Sequence, residues 1–234
     1  VGGRPEGIGS ALLRDRPAVA GGYGAILGLL AAALVCRAGA AFWWGDLLWA
    51  DAVFYRQIVL ALQRGDFTKA FDSLGLNLYP VILMWLDRLG AWVGADWTVV
   101  GKWWSVLLAS LAVLPFYGWV RRIFDDRVAF WAGLFYVIHP HLVGHSPLII
   151  RDPTYWFLFN LALYLSWRAV TEARLGVFLG AGVCIGLAAY TRTEGCLLLG
   201  VLLGWALCRA ASVREARWRL AFGLLLAAAV IPAG

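Results

Sequence analysis

Charge is scarce in this chain. Asp, Glu, Lys and Arg make up 15% of its 234 residues, against about 25% in an average soluble domain. The charges that exist fall in clusters, with long uncharged stretches between them. That distribution excludes an ordinary soluble globular domain. Cysteine is also sparse. Cys36, Cys184, Cys196 and Cys208 lie in or at the edge of apolar segments, and no two of them have metal-ligand spacing. They read as small core residues. There is no His-Glu-x-x-His pattern, no internal repeat and no low-complexity tract.

What is present is apolar. Hydrophobic residues reach 62% and the mean hydropathy is +0.75. Uncharged runs of this kind are the mark of a polytopic helical membrane protein, because a helix of about 20 apolar residues crosses a bilayer with its backbone internally bonded. The 14 tryptophans suit interfacial belts. A formal net charge of +6 is not a nucleic-acid signature here. The basic residues sit between apolar spans, where orientation and anionic lipid account for them.

The predicted architecture is all-α, a transmembrane bundle with about seven spans in the chain. A polar, Gly-rich tail over 1–21 carries Arg4, Arg14 and Arg16. A first span runs from Tyr23 to Trp43. Ala38-Gly39-Ala40 loosely resembles a signal-peptidase site, but the apolar stretch continues past it, which favours a retained anchor. Further spans are expected at 99–120, 128–145, 154–170, 175–190 and 196–208, with a seventh starting near 220. The segment 44–98 is mixed in character. Two stretches in it, Trp49–Arg64 and Tyr79–Val93, have helical character and read as helices lying along the membrane surface. The chain starts with Val and stops inside an apolar run, as expected of an N-terminal fragment of a longer protein.

Charge bias orients this arrangement. With the N-terminus in the cytoplasm, the cytoplasmic pieces 1–21, 121–127, 168–174 and 209–219 hold three, three, two and four arginines. The short external loops 146–153 and 191–195 hold one each. The positive-inside rule is met at every short loop. It is met only if 79–93 does not cross, so 44–98 becomes a large first external loop.

The polar residues of interest gather on the external side. Asp51 and Tyr55 are spaced i, i+4 and share one helix face, which puts a carboxylate beside the membrane surface. Asp51 can also simply complement the helix dipole. Asn77-Leu78-Tyr79-Pro80 opens the second surface helix, where Pro is ordinary. Arg151 and Asp152 end the loop 146–153; Asp152 can cap the following span or contact a substrate. Arg192 is the basic residue of the second short loop and runs against the charge bias. An anionic ligand explains it, and so does a salt bridge to Glu194 or to lipid phosphate. His141 and His145, at i and i+4, can share a metal but read better as interfacial residues.

These groups, in this order, resemble the GT-C superfamily of polyprenyl-phosphate-sugar glycosyltransferases. The nearest branch is that of the protein O-mannosyltransferases and the lipid A aminoarabinose transferases. The resemblance is carried by Asp51…Tyr55…Gly65-Asp66, by Leu78-Tyr79-Pro80…Leu89-Gly90 and by Arg121-Arg122-Ile123-Phe124…Arg127. Asp152 and Gly186…Arg192…Gly195 complete it. It covers about 23–210. It implies a membrane enzyme that moves a sugar, with inversion, from a polyprenyl or dolichyl monophosphate to a hydroxyl of a lipid, glycan or protein acceptor. Asp51 is then the catalytic carboxylate. Arg151 and Arg192 face the leaving phosphate. Tyr55, Asp152 and Glu194 complete the substrate-binding set. The resemblance fixes no cofactor and leaves a divalent metal open, with Ala52 standing where the family often has Glu. A polytopic transporter or flippase, or a non-catalytic scaffold, is the competing reading. Uncharged span centres and a polar outer rim argue for interfacial chemistry instead.

In a variant lacking the four native cysteines, Asp51→Cys and Arg192→Cys are expected to react with a membrane-impermeant thiol reagent from the same side of sealed vesicles. Labelling from opposite sides would separate the two halves of this site.

Overall fold

A computed structural model describes residues 22–43, 50–71 and 77–212. Every regular element among them is helical. The expected tail 1–21 and the start of the seventh span lie outside the described residues.

Helix α1, Gly22–Trp43, corresponds to the first expected span. Tyr23–Trp43 has 21 residues and is long and apolar enough to cross a membrane, at about 1.5 Å per residue. The second such segment is Trp97–Ile123, built from α5 (Trp97–Leu111) and α6 (Val113–Ile123). The two helices meet at Ala112 for a local reason. Pro115 has no N–H to donate to the carbonyl of Leu111, so the ladder is interrupted one turn earlier. Asp96 starts the rod by accepting from the Thr98 backbone N–H at 2.8 Å and from its hydroxyl at 2.6 Å.

The two amphipathic stretches before it are helices as predicted. They are α2, Ala50–Gln63, and α4, Leu78–Trp92, with a short α3, Phe67–Phe71, between them. They pack on each other through one cluster in which Tyr55, Val59, Leu62, Tyr79 and Leu83 are buried. Asp87 ties them at the rim. It accepts from Gln63 Nε2 at 2.7 Å and pairs with Arg56 at 2.9 Å, while the Arg56 guanidinium lies over Trp97.

Downstream, the expected span 128–145 is divided. Helix α7, Asp126–Ile138, ends at His139, and α8, Pro140–His145, restarts on the proline. Pro140 cannot continue the ladder of α7 but is well suited to a first helical position. The next two helices are α9, Asp152–Glu172, and α10, Leu175–Thr191. A 3-10 turn, Thr193–Cys196, leads into α11, Leu197–Ser212. Two further buried clusters hold these helices. One joins α9, α10 and α11 through Leu158, Phe178, Ile185, Leu198 and Leu202. The other joins α1, α6 and α7 through Leu29, Ala33, Val113, Tyr117 and Val137.

Two features depart from the sequence reading. The run 146–150, expected as an external loop, is non-helical but buried along its whole length. Arg37, inside the first span, is fully buried. It donates to Ala33 O at 3.5 Å and to Tyr136 O at 3.4 Å, with its guanidinium over the Tyr136 ring. A buried arginine persists where such acceptors take up its donors.

The α4–α5 hairpin closes tightly on Gly90. A Cβ there would lie 2.6 Å from Val100 Cγ2 and 3.1 Å from Ala95 O. Gly90→Ala is expected to destabilise the protein by about 1–3 kcal/mol, read as a lower thermal midpoint in detergent. Val100→Ala in the same chain should recover most of the loss.

Candidate active site

The site is assembled from three chain segments that the clusters above bring together. The first is the start of α2. Asp51 lies in its first turn and is exposed. Tyr55, one turn on, is buried, and its ring meets the ring of Tyr79 edge-on at 4.9 Å. Tyr79 is itself fully buried at the start of α4. Asn77 fixes that start: its side-chain oxygen accepts from the Tyr79 N–H at 2.9 Å. Its amide also donates to Thr191 O at 3.4 Å, which links α4 to the end of α10. The structural role of the Asn77-to-Pro80 group is thus a helix cap with a tether.

The second segment is the buried run after α8. Ser146 Oγ donates to Val143 O at 2.7 Å. Ile149 joins the Tyr55 cluster and fills the space beside Gly101, where a Cβ would lie 3.3 Å from Ile149 Cγ2. Burial of this run delivers the next two residues to the mouth of α9. Arg151 takes the N-cap position, and no side chain caps the helix. Asp152 sits in the first turn, where the helix dipole favours a carboxylate. It does not act as the cap considered from the sequence. Its partner is Arg192.

The third segment is the turn between α10 and α11. Arg192 closes α10 in an extended conformation. Its Nη1 pairs with Asp152, its Nη2 donates to Glu194 Oε1 at 3.0 Å, and its Nε donates to Glu194 Oε2 at 3.4 Å. The guanidinium also lies over the Tyr155 ring, 5.6 Å from its centroid. The turn is held down by Gly195. A Cβ at that position would fall 2.5 Å from the backbone of Ala188 and Ala189, so only glycine allows the 3-10 turn to fold back onto α10.

The electrostatics show that these groups share one neighbourhood. Burial pushes the Tyr55 hydroxyl above its ordinary pKa; Arg151 opposes the shift most among the nearby charges, Asp51 and Asp152 add to it, and Arg192 opposes it. Tyr55 is therefore a neutral hydroxyl at physiological pH. The hydrogen bonds from Arg192 hold the Glu194 carboxyl below the usual glutamate range, helped by a backbone hydrogen bond and by the charge of Arg151. Stability from that pair is present above the ordinary glutamate pKa and is lost as pH falls through the lowered one.

All six residues singled out from the sequence, Asp51, Tyr55, Arg151, Asp152, Arg192 and Glu194, thus lie around one region. Two of them differ from the rest. Neither Asp51 nor Arg151 has an ion pair or hydrogen-bonded side-chain partner among the described residues, whereas Arg192, Asp152 and Glu194 are mutually engaged. The histidines lie apart as a stack, with the His141 and His145 rings 3.9 Å between centroids. Among the described residues no group of three or more His, Cys, Asp or Glu is placed to hold a metal.

Residues 79–233 match the family model for dolichyl-phosphate-mannose-protein mannosyltransferase. The chain belongs to this family. No curated protein and no solved structure matches it. Membership in the mannosyltransferase family bears out the GT-C resemblance and places the chain among membrane-integral glycosyltransferases. The family match takes in Arg151, Asp152, Arg192 and Glu194; Asp51 and Tyr55 precede it.

The sequence reading missed Tyr155 and the tether from Asn77. Tyr155 was hidden because aromatic residues are frequent in every span; its spacing of three from Asp152 becomes informative only once α9 is known to begin there. Gly195→Ala is expected to cost about 1–3 kcal/mol of stability by overpacking and to displace Arg192 from Asp152. The measurement is the thermal midpoint, together with the rate of crosslinking between cysteines placed at 152 and 192, which should fall.

Proposed function

We propose that this mannosyltransferase-family protein transfers a sugar from a polyprenyl monophosphate donor to an acceptor hydroxyl on the non-cytoplasmic face of the membrane. The carrying observation is that Asp51, without an ion pair among the described residues, lies one helical turn from Tyr55, whose hydroxyl feels the charges of Asp51, Arg151, Asp152 and Arg192. Transfer of this type needs an acceptor of a proton on one side of the sugar and positive charge on the other.

In this reading the acceptor oxygen attacks the anomeric carbon while its proton passes to Asp51. The bond from that carbon to the lipid-phosphate oxygen breaks, and the configuration at carbon inverts. The phosphate leaves with an additional negative charge, which the arginine side of the site offsets. Tyr55, a neutral donor, braces Asp51 or meets a sugar hydroxyl. Asp152 and Glu194 hold the arginine side of the site in shape. The acceptor is a lipid, a glycan or a protein.

The same reading sets the topology. Residues 1–21 form a cytoplasmic tail and 22–234 belong to one membrane domain of about seven spans. The loop 44–98 lies outside, with α2 and α4 along the surface. Support comes from the arginine bias of the short loops. It comes also from the exposed apolar residues of α4, Trp85, Leu89, Trp92 and Val93, which suit the headgroup region.

The test is turnover of labelled polyprenyl-phosphate sugars by the chain in lipid vesicles. Asp51→Asn should lower transfer by about 10²–10⁴-fold while membrane insertion and thermal midpoint stay unchanged. Full turnover by this variant would remove Asp51 from the role of base.

A further inference from the structure

The two arginines of the site differ in what surrounds them. Arg192 has its Nη1, Nη2 and Nε committed to Asp152 and Glu194, and one face of its guanidinium lies over Tyr155. Two carboxylates around one cation leave that trio with a negative excess, which repels a phosphate rather than attracting it. Its backbone is equally constrained, by Gly195 packed on α10 and by Asn77 bonded to Thr191 O. Arg151 is the opposite case. It stands at the N-cap of α9 with its side chain partly exposed and without an ion pair among the described residues. The carboxylates that could neutralise it are Asp152, next in sequence, and Glu194, whose carboxyl feels its charge, and Arg192 holds both.

From this asymmetry we infer that Arg151 is the residue that grips the donor phosphate, and that Arg192 is a positioning residue that occupies Asp152 and Glu194 and so keeps Arg151 free. The inference rests on the donor chemistry proposed above and assigns the two arginines different tasks within it. Arg151 adds its five donors at the N-terminal end of α9, where the helix dipole also favours an anion. Arg192 acts through the carboxylates it holds. With Arg192 removed, Asp152 and Glu194 both lose their counter-ion, and Arg151 is the cation left to them. Phosphate binding then falls although no direct phosphate contact has been deleted.

A mutant cycle separates direct contact from action through Asp152 and Glu194. The probe is polyprenyl monophosphate, titrated onto the chain in lipid nanodiscs, with sugar transfer by the unaltered protein measured in parallel. Arg151→Gln is expected to weaken binding about tenfold or more, the loss of a charge-assisted contact, and adding Asp152→Asn should not restore it. Arg192→Gln should also weaken binding, but Asp152→Asn with Glu194→Gln in the same chain should return the affinity to near that of the unaltered protein. If the Arg192→Gln, Asp152→Asn, Glu194→Gln chain stays as weak as Arg192→Gln alone, Arg192 touches the phosphate directly and the division of roles is wrong. Where Arg192→Gln does not accumulate as folded protein, judged by gel filtration and thermal midpoint, Arg192→Lys takes its place in the same cycle. Absence of both phosphate binding and transfer in the unaltered protein would instead overturn the proposed donor chemistry, and the division of roles with it.

Discussion

The ion pairs of Arg192 with Asp152 and Glu194 are the joint on which the site depends. They fasten the start of α9 to the turn between α10 and α11, two points 40 residues apart in sequence. Arg192 and Asp152 are partly buried, with about a quarter of each side chain accessible, while Glu194 is exposed. Removing Arg192 or Asp152 leaves the other charged and less well solvated, so that pair is more costly to break than an exposed surface pair. Mutual satisfaction of these charges is what allows polar chemistry to sit at the end of an otherwise apolar bundle.

Around that joint the backbone is shaped by residues with few alternatives. Pro140 ends one helix and begins another, and the chain then enters the buried run that carries Ile149 to the Tyr55 cluster. Gly101 leaves the space into which Ile149 fits, and Gly195 permits the close return of the Arg192 turn. None of these residues needs to touch a substrate. Each removes a conformational option, so that Arg151 and Asp152 emerge at one place. The same holds for Asn77, whose single amide both caps α4 and reaches the end of α10.

The pairing of α2 with α4 plays a comparable part for the acidic half. Tyr55 and Tyr79 meet edge-on inside that pair, an arrangement favoured by the aromatic quadrupole. Asp51, one turn before Tyr55, stays exposed. A carboxylate without a partner among the described residues keeps its capacity to accept a proton from something else, which is the property the proposed reaction needs.

Composition and local pattern were enough to establish an all-helical chain, the two amphipathic helices before residue 98, and the six polar residues that merit attention. Helical periodicity, Pro and Gly breaks and charge bias are local quantities, so they can be read along a single chain. The family, too, was legible in the order of short motifs. What remained hidden depends on distance in space. Arg37 passed as part of an apolar span because its acceptors on α7 are remote in sequence. The run 146–150 was read as an external loop with nothing local to show its burial, since Ile149 meets the Tyr55 cluster and Gly101 only where α2, α4 and α5 come together. Whether Asp152 is a cap or an ion-pair partner, and which of two arginines is left free, follows from where the turn after α10 lands. Tertiary packing alone decides that, since an ion pair between residues 152 and 192 requires two helices to be docked first.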